Sequence, residues 1–377
     1  MKLNTTFKTF ASGLSFSLVA LTSTGQTFQE GIAALDRERF VPAKEILKKV
    51  VAKEPANSKA WYYLGEAYLG LDLNDSAAGA YEKGIEKNVA EPLNYAGLGQ
   101  VLLNTNKPVE AKAKLDQVQE MTKCKDYQSL LRVAKAYIHA TQNKNLDNAM
   151  LVLNKAEKLA KNDPEFYLVK GDLYLEKYDG QNSAANYNQA ISYNKNYVKP
   201  YVRMGKMYAT VGNPAAAREK LVEAIKVDSM YAPAYKELAE LEYQQRNYKQ
   251  AAKYFKRYTE LAGNTPEDRF RYAQSLFRSR EYDAAMKEFE SLTPLYSENP
   301  ELHRWKGYTY NLLTQYDKSV VSLEKYFTVA DTAKIAATDY NYLSNSLQKL
   351  GKDSFALMYL EKALTRKDAT QDMYEQA

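Results

Sequence analysis

A small side chain returns along almost the whole chain at near-constant spacing, at Gly31, Gly65, Gly99, Ala134, Gly171, Gly205, Ala239, Ala273, Gly307 and Ser344. The steps are 34, 34, 35, 37, 34, 34, 34, 34 and 37 residues. Twelve residues after nearly every member stands a second small residue: Ala43, Ala77, Ala111, Ser183, Ala217, Ala251, Ala285, Ser319 and Ala356, with Ala149 displaced to 15. Four further on comes a large apolar side chain: Leu47, Tyr81, Leu115, Leu153, Tyr187, Leu221, Phe255, Phe289, Leu323 and Leu360. Ten copies of one unit therefore fill residues 24 to 370. Such a period belongs to an array, in which each unit buries its apolar face only against the next.

A unit of about 34 residues holds two helices of about 13 residues and two turns. Within the first helix the large residues lie three and four apart around the small one, as in Trp61, Leu64, Gly65 and Tyr68, or Tyr201, Met204, Gly205 and Tyr208. They line one face. Turn residues separate the two helices, as in Asn74-Asp75, Gly212-Asn213-Pro214 and Arg246-Asn247, so each unit reads as a helical hairpin.

A Trp or Tyr, then Leu-Gly, then Tyr, then Ala, then a large apolar residue at this spacing resembles the tetratricopeptide repeat. The resemblance implies an all-α, right-handed superhelical solenoid of about ten stacked helix-turn-helix repeats over residues 26–370, and a role in holding protein partners in its concave groove. Three departures are local. The unit of Ala134 and Ala149 has three extra residues around Asn143 to Asn145, and three more fall around Asp331 to Ile335. Trp305 stands two places after the slot of the motif's tryptophan, where this chain has His303, which leaves the register of that helix open. Residues 371–377 are in phase with a further unit and read as a cap or as its beginning.

Ahead of the array, Lys2 and Lys8 precede a 12-residue apolar stretch, Phe10 to Leu21, followed by Ser23, Thr24 and Gly25. This pattern predicts a signal peptide over residues 1–25, cut before Gln26, and an exported, periplasmic or secreted chain. The stretch is shorter than the ~20 residues that span a bilayer, so no stable membrane insertion is expected after cleavage. Without the leader, 50 basic residues face 46 acidic ones. That near-balance argues against a nucleic-acid partner. A single cysteine, Cys124, excludes an internal disulfide and a thiolate metal cluster.

Helix geometry places the residue after each small one opposite the packing face. Those residues are Ile32, Glu66, Gln100, Lys135, Asp172, Lys206, Glu240, Gln274, Tyr308 and Asn345, expected to form the solvent-facing centre line of a groove. Their charges alternate through Lys135, Asp172, Lys206 and Glu240. Four residues earlier the line is mostly apolar, at Phe28, Tyr62, Leu131, Leu168, Val202 and Phe270. Contact with the neighbouring unit accounts for its aliphatic members without a ligand. Phe270, Arg271 and Gln274, with Arg304 and Tyr308 one unit on, have the composition of an interface hot spot or equally of a solvated face. Lys199, Arg203 and Lys206 share one helix face and offer a second cluster. In some relatives a clamp built by successive units grips a peptide carboxylate, and Lys199 and Arg203 match its last two places. The earlier places hold Leu131, Lys135 and Val169, so that clamp is incomplete. The candidate partner-binding residues are thus Lys135, Lys199, Arg203, Lys206, Phe270, Arg271, Gln274, Arg304 and Tyr308.

No phosphate-binding glycine loop, nucleophile elbow or paired-histidine motif is present, and His139 and His303 stand 164 residues apart. The expectation is a non-catalytic protein–protein interaction scaffold of the cell envelope, with no cofactor and no metal. Two alternatives remain at this stage, an accessory module of an enzyme or secretion machine and a glycan- or peptidoglycan-binding protein. The second would use some of the 32 tyrosines as stacking platforms, but many occupy packing places in the repeat.

Overall fold

The structure is a computed structural model that describes residues 27–160 and 162–376. The predicted signal peptide, residues 1–25, lies outside the described residues. The described residues form helices and turns without strands. They fall into two compact units, residues up to 237 with 261–263, and residues 238–260 with 264 onward. In chain order the helices are α1 (27–36), α2 (Phe40–Lys53), α3 (Ser58–Leu69), α4 (Asn74–Lys87), α5 (Pro92–Asn104), α6 (Pro108–Thr122), α7 (Tyr127–His139), α8 (Leu146–Glu157), α9 (Pro164–Glu176), α10 (Gly180–Tyr193), α11 (Val198–Thr210), α12 (Pro214–Val227) and α13 (Ala232–Gln244), within which the first unit ends. They continue with α14 (Tyr248–Ala262), α15 (Pro266–Arg278), α16 (Tyr282–Leu292), α17 (Pro300–Leu312), α18 (Tyr316–Val329), α19 (Ala337–Lys349), α20 (Asp353–Leu364) and α21 (Gln371–Gln376). Ten hairpins, α1–α2 through α19–α20, coincide with the ten sequence units.

The three recurring series explain how a hairpin closes. All members of the first two are buried, and those of the third are at most 7% exposed. The small residue leaves room for the large one sixteen positions on. A Cβ added at Gly171 would stand 2.5 Å from the Tyr187 ring, and one at Gly205 2.5 Å from Leu221. Where the large residue is tyrosine it reaches through the helix pair: Tyr81 Oη donates to Glu66 Oε1 at 2.5 Å and Tyr187 Oη to Asp172 Oδ1 at 2.8 Å. Small polar members are satisfied in place, with Ser319 Oγ donating to the Gly307 carbonyl at 2.8 Å and Ser344 Oγ to that of Ala356 at 2.7 Å.

Helix starts are written locally, by side-chain caps from Asn57, Asp126, Asn145, Asp163, Asp179, Asn213, Thr265 and Asn299 and by Pro92, Pro108, Pro164, Pro214, Pro266 and Pro300 in first turns. The turn inside every hairpin carries one left-handed residue: Glu38, Asp72, Asn106, Asn143, Tyr178, Gly212, Arg246, Arg280, Thr314 and Gly351. Only two of these are glycine, so eight hairpins accept backbone strain in exchange for side chains at that place.

Both insertions are absorbed at turns. Asn143 Nδ2 donates to the Leu103 carbonyl and to Asn106 Oδ1, each at 3.1 Å, pinning the first insertion to the preceding hairpin. Beside it opens a hollow of about 450 Å³ lined by Tyr137, Asn145 and Val109. The second forms a 3₁₀ turn, Thr332–Lys334, capped by Asp331. His303 resolves the register of α17. Its Nε2 hydrogen-bonds the Ser297 carbonyl at 2.7 Å, six residues back, as Trp61 Nε1 bonds Pro55 and as Tyr95, Tyr201 and Tyr235 bond Val89, Lys195 and Ser229. Histidine thus fills the tryptophan slot, and Trp305 lies in the core. At the C-terminal end, Met373 of α21 covers Ala337, Leu360 and Ala363.

Candidate functional site on the inner helices

In the first unit, the centre line predicted to face solvent is largely tied up by neighbours. Arg132, 5% exposed, spans three hairpins: its Nη2 donates to Glu66 Oε1 at 2.7 Å and its Nη1 to Gln100 Oε1 at 2.7 Å. Lys135 is bonded to Glu165. Asp172 accepts from Tyr187 and faces Arg203 Nε at 3.4 Å, and Lys206 Nζ lies 3.7 Å from Glu237. The alternating charges of the sequence are thus a ladder in which one inner helix neutralises the next. Burial alone would raise the Glu165 carboxyl, but Lys135 and Lys199 outweigh it and hold it below its usual range. His139 lies 3.4 Å from Asp172. Crowding by neighbouring atoms, although 37% of the side chain stays exposed, then the Arg203, Lys135 and Arg132 cations, push its imidazole down to about 4 against the pull of Asp172.

The first unit also curls until its beginning meets its end. Arg37 Nε donates to Asp228 Oδ2 at 2.8 Å, and Tyr231 Oη donates to Glu38 Oε1 at 2.7 Å. Arg203 Nη2 is 3.9 Å from the same Glu38 oxygen. Two cavities, of about 350 and about 480 Å³, open on the interior so formed. Asp36, Glu165 and Lys199 line both, and the smaller one draws residues from α1, α3, α5, α7, α9 and α11. Its apolar part is Ile32, Leu35, Tyr62, Tyr63, Leu93 and Leu131. Lys199 is half-buried there, and no carboxylate among the described residues lies within ion-pair distance of it.

The second unit fills its inner helices with aromatic rings. Tyr308 is 6% exposed, stacks on Tyr342 with centroids 4.1 Å apart, and is bonded to Asp339. Phe277 packs edge-on against Trp305 at 5.0 Å. Asp339, fully buried, also accepts from Arg304 Nε at 2.7 Å, Tyr326 Oη at 3.3 Å and the Ala336 amide at 2.7 Å. Arg271 grips Glu240 through two nitrogens at 3.0 and 2.7 Å and donates to Gln274 Oε1 at 3.3 Å. Phe270 packs edge-on against Phe289.

Three members of the expected solvent-facing line, Gln100, Asp172 and Tyr308, are therefore buried. The reason is the tight approach of successive inner helices, which the period of a single unit does not reveal. Of the predicted partner-binding residues, Lys135, Arg203, Arg271 and Arg304 spend their charge on internal carboxylates, Tyr308 belongs to the core, and Phe270 is half-buried. Lys206 is exposed, Gln274 is half-exposed, and Lys199 is unpaired. The sequence reading missed Arg132, Asp339, Asp36 and the Arg37–Glu38 turn. For Asp339 a signal existed, a carboxylate three residues past the apolar Ile335–Ala336 pair. Arg132 reaches one and two hairpins back, and the Arg37–Glu38 turn reaches residues five and more hairpins on, distances that no single unit encodes. Among the aliphatic flank, Leu131, Leu168 and Val202 are buried, as packing between neighbouring units requires.

Among the described residues no cluster of His, Cys, Asp or Glu has metal-binding geometry, and no helix is long and apolar enough to cross a membrane. Residues 28–90 and 202–268 match the family model described as tetratricopeptide repeat, and residues 244–326 match that of anaphase-promoting complex, cyclosome, subunit 3. The chain belongs to the tetratricopeptide-repeat family. Among solved structures it is similar to YrrB, described as a TPR protein with an unusual peptide-binding site, at 16% identity and a TM-score of 0.45 over 51% of this chain and 98% of that one. No curated protein matches the chain by sequence.

Proposed function

We propose that the chain is a non-catalytic scaffold, exported to the cell envelope, that holds a segment of a partner protein against the inner helices of its first unit and supports assembly of a complex. The observation that carries this reading is Lys199, a half-buried cation in no ion pair among the described residues, set with Asp36, Glu66, Lys135 and Glu165 around a cavity whose apolar wall includes Leu35, Tyr62, Tyr63 and Leu131. A half-buried ammonium that is in no ion pair keeps donors for a partner's acidic group, and a charge-assisted hydrogen bond there is stronger than one in open solvent. Neighbouring Tyr62, Tyr63 and Leu131 offer an apolar seat of the kind that anchors interfaces. Export follows from the leader's composition. Tyr62, Tyr81, Tyr95, Tyr137, Tyr187, Tyr231, Tyr308, Tyr310 and Tyr326 are buried and so are not available as a glycan platform.

The test is in-cell photo-crosslinking from a reactive amino acid placed at Tyr63, in the same cavity, and, separately, at Lys206, with Lys199 kept and exposed Lys253 as control. Capture of one protein from the inner positions alone supports the reading. Capture from Lys253 alone, or from none, overturns it. Amino-terminal sequencing of the purified chain tests export, with a start at Gln26 expected and an intact Met1 opposing it.

A further inference from the structure

The contact that closes the first unit differs in kind from the contacts that stack its hairpins. Hairpin α1–α2 joins the next through an apolar core of Ala34, Leu47, Val50 and Val51 with Ala60, Leu64 and Ala67. Its turn meets the far side of the unit through polar groups. Arg37 and Asp228 remain 42% and 22% exposed in their pair, and Glu38, in the left-handed conformation at φ 52°, receives the Tyr231 hydroxyl with Arg203 nearby. Arg39 Nε donates to the Leu261 carbonyl at 2.7 Å. Val41 packs on Gly263, where an added Cβ would stand 2.7 Å from the valine Cβ.

We propose that the first hairpin is a latch on the cavities of the first unit, held shut by Arg37, Glu38 and Arg39 and opened by release of those contacts while the apolar joint to the second hairpin stays intact. The inference rests on the reading that a partner segment is held inside this unit, and it names what regulates entry. The Arg37–Asp228 pair, at the exposed rim of the seam, exchanges with solvent and is screened by salt, the Tyr231–Glu38 bond behind it is lost once the turn lifts, and the apolar joint to the second hairpin is insensitive to salt. The seam is therefore the part of the ring that opens first. Asp36, Arg37 and Tyr231 line the larger cavity, so lifting the turn removes part of the cavity wall and exposes Lys199 to an incoming acidic group.

Two measurements test the latch without any partner, both in a chain carrying Cys124→Ser. Spin labels at Lys48→Cys, on α2, and Ser229→Cys, beside Asp228, report the seam by pulsed dipolar spectroscopy. A short distance is expected in low salt, with a longer population growing at high salt and in the Arg37→Ala/Glu38→Ala variant. Reaction of Lys199→Cys with a polymer-tagged maleimide reports entry. Its rate is expected to rise about ten-fold in the latch variant, the factor that weakening the shut state by ~1.4 kcal/mol gives, while Lys253→Cys reacts at an unchanged rate. Should the double variant not fold, as judged by circular dichroism, Glu38→Gln and the salt series carry the same test. Distances and rates unmoved by salt and by the variants would overturn the latch. Failure of the photo-crosslinks would instead overturn the binding role and leave these readings untouched.

Discussion

The two units are built from one repeat but spend the same inner positions differently. In the first, inner-helix positions hold charges that pair from helix to helix, as in Glu66–Arg132, Lys135–Glu165 and Asp172–Arg203. The second keeps one such pair, Arg271–Glu240, and then places rings at these positions, Trp305, Tyr308 and Tyr342, beside one buried carboxylate, Asp339. The charged inner helices of the first unit leave cavities between them, while the rings on α17 and α19 pack on one another. The comparison teaches that the repeat fixes the hairpin and leaves its inner face free to become either a binding interior or more core.

The sharpest break of this comparison is Asp339→Ala, which leaves Arg304, Tyr308 and Tyr326 without their acceptor. It should cost about 3–5 kcal/mol in the second unit, read as a lowered urea midpoint, and a loss below about 1 kcal/mol would show that the aromatic stack stands without it. Arg132→Ala does the corresponding damage to the first unit, leaving Glu66 and Gln100 facing one another, at about 2–3 kcal/mol. Thr314 sits in the left-handed region at φ 59°, where a β-branched side chain is strained, so Thr314→Gly should raise stability by about 1 kcal/mol in the same assay.

A pH series separates the units further. The His139 imidazole, held at about 4 in the fold, titrates near 6.5 when unfolded. As pH falls the unfolded chain takes its proton first, so stability is lost from about 6.5 down to about 4 and returns as pH rises. His139→Gln should flatten that limb for the first unit, and an unchanged slope would assign it to other groups. The smallest effect belongs to Lys199→Ala. Outside any ion pair, and with Lys135 still bonded to Glu165, it should shift stability by less than about 0.5 kcal/mol while abolishing the inner-face crosslink, and a larger loss of stability would mean that Lys199 is structural.

The sequence alone determined the hairpin. Gly205, Ala217 and Leu221 meet as their spacing of 12 and 16 residues demanded, and Asn213-Pro214 starts α12 where a cap and a proline should. These contacts are local, so a pattern of residue sizes encodes them. His303 was harder to read, because the slot is kept by a hydrogen bond to a carbonyl six residues back, which Trp, Tyr and His make alike. What the tertiary structure decided is which inner-face groups remain available. Arg203 looked as free as Lys199 in the sequence, yet it lies against Asp172 and Glu38 while Lys199 is in no ion pair, because the angle between successive hairpins accumulates over six of them before Arg37 reaches Asp228. That angle is a sum of many small packing choices, and no single repeat carries it.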